Sequence, residues 1–483
     1  MIRGGSRNVA TWIALLALAG CSSSEGSPDT GDGGEEFSWD APPGPDAVNP
    51  DLYNPWMVVP SSEIPAPRDW QLRRGIIHIH STYSHDGCDS EPFIDGVRNE
   101  ECFNQLRQAL CDNAHDFAFL TDHANLFADY EFPEVLLYAA GDTLIDRGGI
   151  PVANRIPCGD GRDVIIAAGT EQNSMPIGLE HHIGDTPDAR TVAYDDTTPA
   201  GIAALKAAGA VSLVAHTEGF EVDALLAMPL DGIEIYNLHQ NMIDGFGEVL
   251  NMIMALYHAQ WNAPVTELLL AAIFVESDAD LLRWSKMLTL RPTVGVLATD
   301  VHRNSFPGIS PDGERYDSYR RLTHWFANYV LLPAGAVDDL ALKDAIRHGR
   351  LYGAFDYLGY AVGFDFRAEA GATTYEMGDE VPAGETCVLH LTLPTVYALD
   401  PAGAQPVIRG RILRSNDGTW DEVAAGTEDL QYTATPGVYR AEVRIVPEHL
   451  RPWLNLRADR WVVERPWIYS NPIYVGITWP PTP

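Results

Sequence analysis

The sequence predicts an α/β fold, a parallel β/α barrel followed by a small all-β sandwich, and three observations predict it. Six short apolar runs, at 75–80, 117–123, 164–171, 211–216, 232–237 and 294–302, each end in His, Asp, Glu or Asn. Helical patterns lie between several of them, and past about residue 366 the pattern changes to alternation. Short continuous apolar runs mark strands buried on both faces, as in a parallel sheet covered by helices. In a parallel barrel every strand delivers its C-terminal end to one rim, so residues distant in sequence converge there.

The N-terminus comes first. Arg3 and Arg7 precede an apolar stretch from about Val9 to Ala19, too short to span a bilayer. It closes on Leu18-Ala19-Gly20-Cys21, which resembles a bacterial lipobox, where the cysteine becomes the acylated first residue. The expectation is a lipoprotein signal peptide over 1–20 and a membrane anchor through Cys21, in the bacterial cell envelope. Ser22 in the next position resembles lipoproteins sorted to the outer membrane. Residues 21–69 are expected to form a disordered acidic tether. No Lys or Arg occurs over 22–67, and Gly, Ser, Pro and Asp are frequent, so little apolar surface offsets the entropy of ordering.

A chain of 483 residues is too long for one ordinary core, and the change of pattern divides it into a barrel over 70–365 and a sandwich over 366–483. The net charge of −35 repels polyanions and argues against sequence-specific nucleic-acid binding, which depends on Lys and Arg contacts to phosphate. With Cys21 acylated, Cys88, Cys102, Cys111, Cys158 and Cys387 remain. In an exported chain they invite disulfides. Cys88 with Cys102 would close the insertion after the first His motif, and Cys111 with Cys158 is the second pairing. No CxxC pair exists to hold a metal by thiolates.

Between the runs, Phe103, Leu106 and Leu110 share one face of a helix over 101–114. Ile202 and Leu205 predict another over 199–208, with Pro199 at its start and Gly209 past its end. Ser277 is the expected N-cap of a helix over 278–290, and 338–348 forms a further one closed by Gly349. No GxGxxG or Walker-type loop occurs, which disfavours a dinucleotide or P-loop fold.

The ends of the runs carry the chemistry. His78 and His80, two apart on a strand, project from one face, and imidazoles with carboxylates suit zinc, iron or manganese. The motif continues as His78-Ile79-His80-Ser81-Thr82-Tyr83-Ser84-His85-Asp86-Gly87, where a tight turn would aim Asp86 back at the rim. Asp300 and His302 repeat the spacing, and Thr121-Asp122-His123 supplies a ligand with a neighbouring acid. Glu171 ends an apolar strand, where an unpaired carboxylate is costly to bury. His216 ends a similar strand, and either His181 or His182, with His182 preferred, joins it from a loop.

This ordered set, HxHxxxSxDG, TDH, GTE, AHTEG, EIYN and TDVH, resembles the polymerase and histidinol phosphatase (PHP) superfamily over about residues 70–365. The resemblance implies a distorted seven-stranded β/α barrel with a site for two or three divalent metals. One metal would be held by His78, His80, Glu171 and Asp300. A second would share Glu171 and take His216 with His181 or His182. A third would take Asp86, with His85 competing, His123 and His302. His216 is followed by Thr217, where the commonest family pattern has Pro. Two such cations, about 3.5–4 Å apart, activate a bridging hydroxide and stabilise the developing oxyanion. Glu171 is then central to catalysis, His239 and Asp122 are candidate proton donors, and Arg303 is a candidate contact for a substrate anion.

Residues 345–353 and 363–366 resemble the end of PHP proteins related to carbamate and amide hydrolases. Beyond them 387–393 and 437–445 alternate as strands of the sandwich, which packs on the barrel or binds a partner. The sequence thus points to metal-dependent hydrolysis, foremost of a phosphoester in a small molecule or nucleotide. Amide, carbamate or ester hydrolysis by the same metals is the rival, and a non-catalytic lipoprotein that holds metal is a third class.

Overall fold

The computed structural model describes residue 46 and residues 48–258, 264–310 and 312–479. The expected signal peptide, the Cys21 anchor and the first half of the tether lie outside the described residues. The rest of that tether does not hang free. Tyr53, Val59 and Ile64 are buried, the Tyr53 N–H donates to the Ala398 carbonyl at 2.8 Å, and the Tyr53 ring meets His449 edge-on at 5.1 Å. Averaged composition hid a local apolar cluster that buries enough surface to order the chain.

The chain is a mixed α/β protein built on a large central sheet. Its strands are β1 (Gln71–Ile77), β2 (Phe117–Phe119), β3 (Asp163–Glu171), β4 (Met175–Leu179) and β5 (Val211–Leu213). Then follow β6 (Gly232–Asn237), β7 (Val294–Ala298), β8 (Ala327–Leu332) and β9 (Leu351–Ala354). Four of the C-terminal strands are β10 (Asp365–Ala370), β11 (Cys387–Thr392), β12 (Val407–Asn416) and β13 (Gly437–Val446), and β14 (Arg465–Ser470) comes after them. In space the sheet runs β5-β4-β3-β2-β1-β8-β9-β14-β13-β12.

The strands β1, β2 and β3 are parallel, as expected, and β6 pairs parallel with β7. The sheet is not parallel throughout. β4 and β5 add antiparallel on one side, β8 and β9 on the other. Only Gln172, Asn173 and Ser174 link β3 to β4, a hairpin length, whereas a parallel crossover needs about a dozen residues or more. The C-terminal strands do not stand apart either. β9 pairs with β14, β14 with β13 and β13 with β12, so the sheet crosses the expected boundary at 365. Separately, β10 and β11 form a four-stranded antiparallel sheet with Thr373–Tyr375 and Leu430–Ala434.

Helices cover the sheet close to where periodicity put them. In α1 (Glu100–Asp112) the Asn99 side chain caps the Cys102 N–H at 3.1 Å, and Phe103, Leu106 and Leu110 are buried. Thr198 caps α2 (Pro199–Ala207). Leu238–Asp244 forms α3. Ser277 makes no side-chain cap bond to α4 (Asp278–Met287), so that expected cap is not formed. Two short helices follow, α5 (Tyr319–His324) and α6 (Asp339–Arg347), the latter capped by Asp338. Both expected disulfides, Cys88–Cys102 and Cys111–Cys158, are formed, and Cys387 is a buried thiol. Among the described residues no helix is long and apolar enough to cross a membrane.

Candidate metal centre

Two strand ends build the centre. β1 stops at Ile77 and β7 at Ala298, and the segments beyond them run side by side through an Ile79–Val301 bridge. The Asp300 N–H donates to the His78 carbonyl at 2.8 Å and the His80 N–H to the Val301 carbonyl at 3.0 Å. His78 therefore lies past its strand, at φ 69°. The two imidazoles meet, Nε2 to Nε2 at 3.0 Å, because the backbone turns left-handed at His78, not because both extend from one strand face. His216 (φ 25°) and Asp300 (φ 50°) also have positive φ. Such backbone costs about 1–3 kcal/mol per residue and persists where the surroundings over-determine it, commonly at functional sites.

Hydrogen bonds fix which ring nitrogens face inward. His78 donates from Nδ1 to Glu234 at 2.5 Å. The Ser84 hydroxyl donates to Asp86 at 2.7 Å, so its oxygen accepts from His80 Nδ1 (3.0 Å) and from the His123 N–H (3.1 Å). In their neutral form both rings thus turn an Nε2 lone pair inward. Those lone pairs face carboxylate oxygens: Asp300 Oδ1 lies 3.1 Å from His78 and 3.3 Å from His80, and Glu171 Oε2 lies 3.3 and 3.2 Å away. Asp300 Oδ1 is buried and accepts no hydrogen bond. Lone pairs converging on lone pairs in a dry site repel unless a positive charge lies among them, so this donor set fits divalent cations.

Among the described residues, three groups could each hold a cation, with the ligand atoms of a group within 4.8 Å of one another: His78, His80, Glu171 and Asp300; His80, Asp86, His123 and His302; and His239, Asp300 and His302. Glu171 faces two ways, because its other oxygen, Oε1, meets His216 Nε2 at 2.5 Å. Gly169, two residues earlier, lets β3 approach this closely. A Cβ there would lie 2.5 Å from the Pro176 carbonyl oxygen and 2.6 Å from that of Leu120. Asp86 Oδ2 stands 3.1 Å from His123 Nε2 and 3.2 Å from His302 Nε2. His85 is exposed, its ring beside His123 at 5.0 Å. The side chains of His216 and His239 are 42% and 46% exposed, which puts these two at the mouth.

Three expected residues go elsewhere. His182 binds the Tyr194 hydroxyl through Nδ1 and the Tyr130 carbonyl through Nε2, both at 2.7 Å. With both nitrogens engaged it has none to offer a cation, and His181 is exposed in the same loop. His182→Gln is therefore expected to leave metal stoichiometry unchanged, measured by elemental analysis. Asp122 is buried with its oxygens on the Ser81 N–H (2.5 Å) and hydroxyl (2.7 Å). It shapes the turn after His80 and is closed off from solvent. Arg303 turns to Glu101 at 3.6 Å.

The centre's carboxylates favour positive charge on its rings, held as a proton or supplied by a cation. Burial alone would lower His80 and His216, but Asp300 and Glu171 around His80, and Glu171 beside His216, push both up to about 10. Burial would raise Glu171 and Asp300, yet the surrounding imidazoles hold both well below the carboxylate range. Burial, and then His80, lower His302. Asp122 is pushed up to about 6 by burial, against its bonds to Ser81. Glu234 is the supporting residue that motif reading left without a role. Its Oε1 fixes the His78 tautomer, while Oε2 accepts from the His216 N–H (2.7 Å) and from Asn237 (2.9 Å). Its signal was a carboxylate inside an otherwise apolar strand. Glu234→Gln is expected to weaken metal binding by about 10–100-fold, the usual size of such outer contacts, read by competition with a chelator.

No protein-family model matches the sequence, and no curated protein does. Among solved structures, the chain is similar to a two-domain protein from Bacteroides vulgatus ATCC 8482 containing a predicted PHP-like metal-dependent phosphoesterase. The identity is 11%, the match covers 85% of this chain and 98% of that one, and the TM-score is 0.32.

Proposed function

We propose that this chain is a metal-dependent hydrolase of the PHP type, carrying the family's distorted seven-stranded barrel, and that it cleaves phosphoesters in a small molecule or nucleotide. The observation that carries the proposal is Glu171, whose two oxygens face two separate imidazole sets, His78 and His80 on one side and His216 on the other. That is the arrangement a carboxylate shared between two cations requires. Zinc, manganese or iron suits the donors. Bound there, such ions supply an activated water and neutralise the charge that develops on the substrate.

The chain's own residues prepare that chemistry. Glu234 and Ser84 lock the His78 and His80 rings with Nε2 inward. Asn237 donates to Glu234 and to Asp300 Oδ2 (3.2 Å), which keeps the other Asp300 oxygen free for a cation. His239, exposed and 3.5 Å from Asp300 Oδ2, is placed to hold a proton for the leaving group at the mouth.

A second reading, amide, carbamate or ester hydrolysis, draws on one feature of the site. Among the described residues, the ion pairs of Asp86, Glu171 and Asp300 all go to histidines, so no Lys or Arg is paired there to greet a phosphate. A neutral carbonyl substrate asks for no such cation. Panels of phosphomonoesters, phosphodiesters, and aryl carbamates and esters on metal-loaded protein separate the two. Turnover confined to the carbamates or esters overturns the phosphoester reading. No turnover on any panel, with metal bound and indifferent to Glu171→Ala, favours a binding lipoprotein.

The lipobox-like Cys21 supports a lipid-anchored place in the bacterial envelope, outer membrane foremost. The two disulfides fit an oxidising compartment of that kind.

A further inference from the structure

Directly after Asp86 the chain makes an unusual turn. Cys88, Asp89 and Ser90 have φ of 58°, 62° and 61°, three consecutive side-chain-bearing residues in left-handed backbone. Each is disfavoured by roughly 1–2 kcal/mol, so the turn needs outside support. The Cys88 N–H donates to the His302 carbonyl at 2.9 Å and the Asp89 N–H to the Arg303 carbonyl at 3.0 Å. Arg315 clamps the Asp89 carboxylate through two bonds of 2.7 and 2.8 Å. The covalent support is the Cys88–Cys102 disulfide, buried at both ends, which ties the turn to α1.

The same disulfide touches the underside of the centre. Cys102 Sγ lies 3.8 Å from the Tyr319 hydroxyl. That hydroxyl donates to the His80 carbonyl at 2.9 Å and lies 3.4 Å from the His302 carbonyl. One buried cluster therefore joins the disulfide to the backbone of His80 and His302, and the turn carries Asp86 onto His123 and His302.

We propose that the Cys88–Cys102 disulfide is a positioning element of the metal centre, holding Asp86 in register with His123 and His302. This rests on the reading that those three residues hold an ion. Reduction by a dithiol moves two electrons and two protons onto Cys88 and Cys102, leaves the reagent as its own disulfide, and frees the strained turn to relax. The ion on Asp86, His123 and His302 is then lost or weakened, while the group of His78, His80, Glu171 and Asp300 keeps its own.

The test is metal stoichiometry on the full chain, manganese-loaded, for three variants: Asp86→Asn, the pair Cys88→Ser with Cys102→Ser, and the pair Cys111→Ser with Cys158→Ser. The first two are expected to lose about one ion per chain or to bind it about 10–100-fold more weakly, and the third to match the native chain. Should the serine pair fail to fold, native protein is treated with graded dithiol. Thiol labelling then reports which disulfide opens, and reoxidation should restore the ion. If Asp86→Asn loses an ion but opening Cys88–Cys102 does not, the positioning role is wrong. If Asp86→Asn loses none, the ligand assignment beneath it is wrong. If opening Cys111–Cys158 costs the same ion, the effect is general destabilisation and the proposal fails.

Discussion

Glu171→Ala lowers kcat/KM by more than about 10³-fold and releases metal. Its oxygens face both imidazole sets, so one truncation removes a ligand from each. The lost charge stabilisation is several kcal/mol, at a tenfold in rate for about each 1.4 kcal/mol. Removing this carboxylate also deprives His78, His80 and His216 of the partner they face. Steady-state kinetics on whichever panel substrate turns over, with metal content measured on the same sample, checks both halves. A variant that keeps near-native activity would show that Glu171 does not bridge.

Asp356→Ala destabilises the fold by about 3–5 kcal/mol, the cost of leaving a buried charge unpaired. Arg74 on β1 is fully buried and donates to Asp356 at 2.7 Å and to the Asn113 carbonyl at 2.7 Å, beside His115 Nδ1 at 3.2 Å. Asp356, just past β9, accepts from Tyr329 at 2.7 Å as well. This pair binds β1 to the chain entering the C-terminal strands, and it lies apart from the ligand groups. Urea unfolding gives the size through the shift of midpoint at constant slope. Replacing both partners, with Arg74→Met and Asp356→Leu, is expected to cost less than Asp356→Ala alone, because no orphaned charge remains.

The convergence of His78, Glu171 and Asp300 was legible because each sits where an apolar run stops, and an apolar strand has little other use for such residues. What brings them together was less legible. The turn at His78 is a matter of φ, which hydrophobic periodicity does not encode. The antiparallel arm at β4 hangs on a three-residue link, too short to register as a break between runs. His182 looked like its neighbours in sequence, but its ring lies 5.0 Å from Phe127 and 5.3 Å from Phe132, an environment assembled from remote segments. Glu234 was visible as a misplaced carboxylate, and only the distance to His78 gave it a role. Tyr53, Val59 and Ile64 carried their own signal, lost beneath the acidic and glycine-rich residues before them.

The central claim is that the convergent lone pairs of His78, His80, Glu171 and Asp300 hold divalent cations. Elemental analysis of the purified full chain, dialysed after loading with manganese or zinc, tests it without knowledge of any substrate. About two or three ions per chain are expected, with dependence on Glu171. A chain that retains no divalent metal under these conditions contradicts the account.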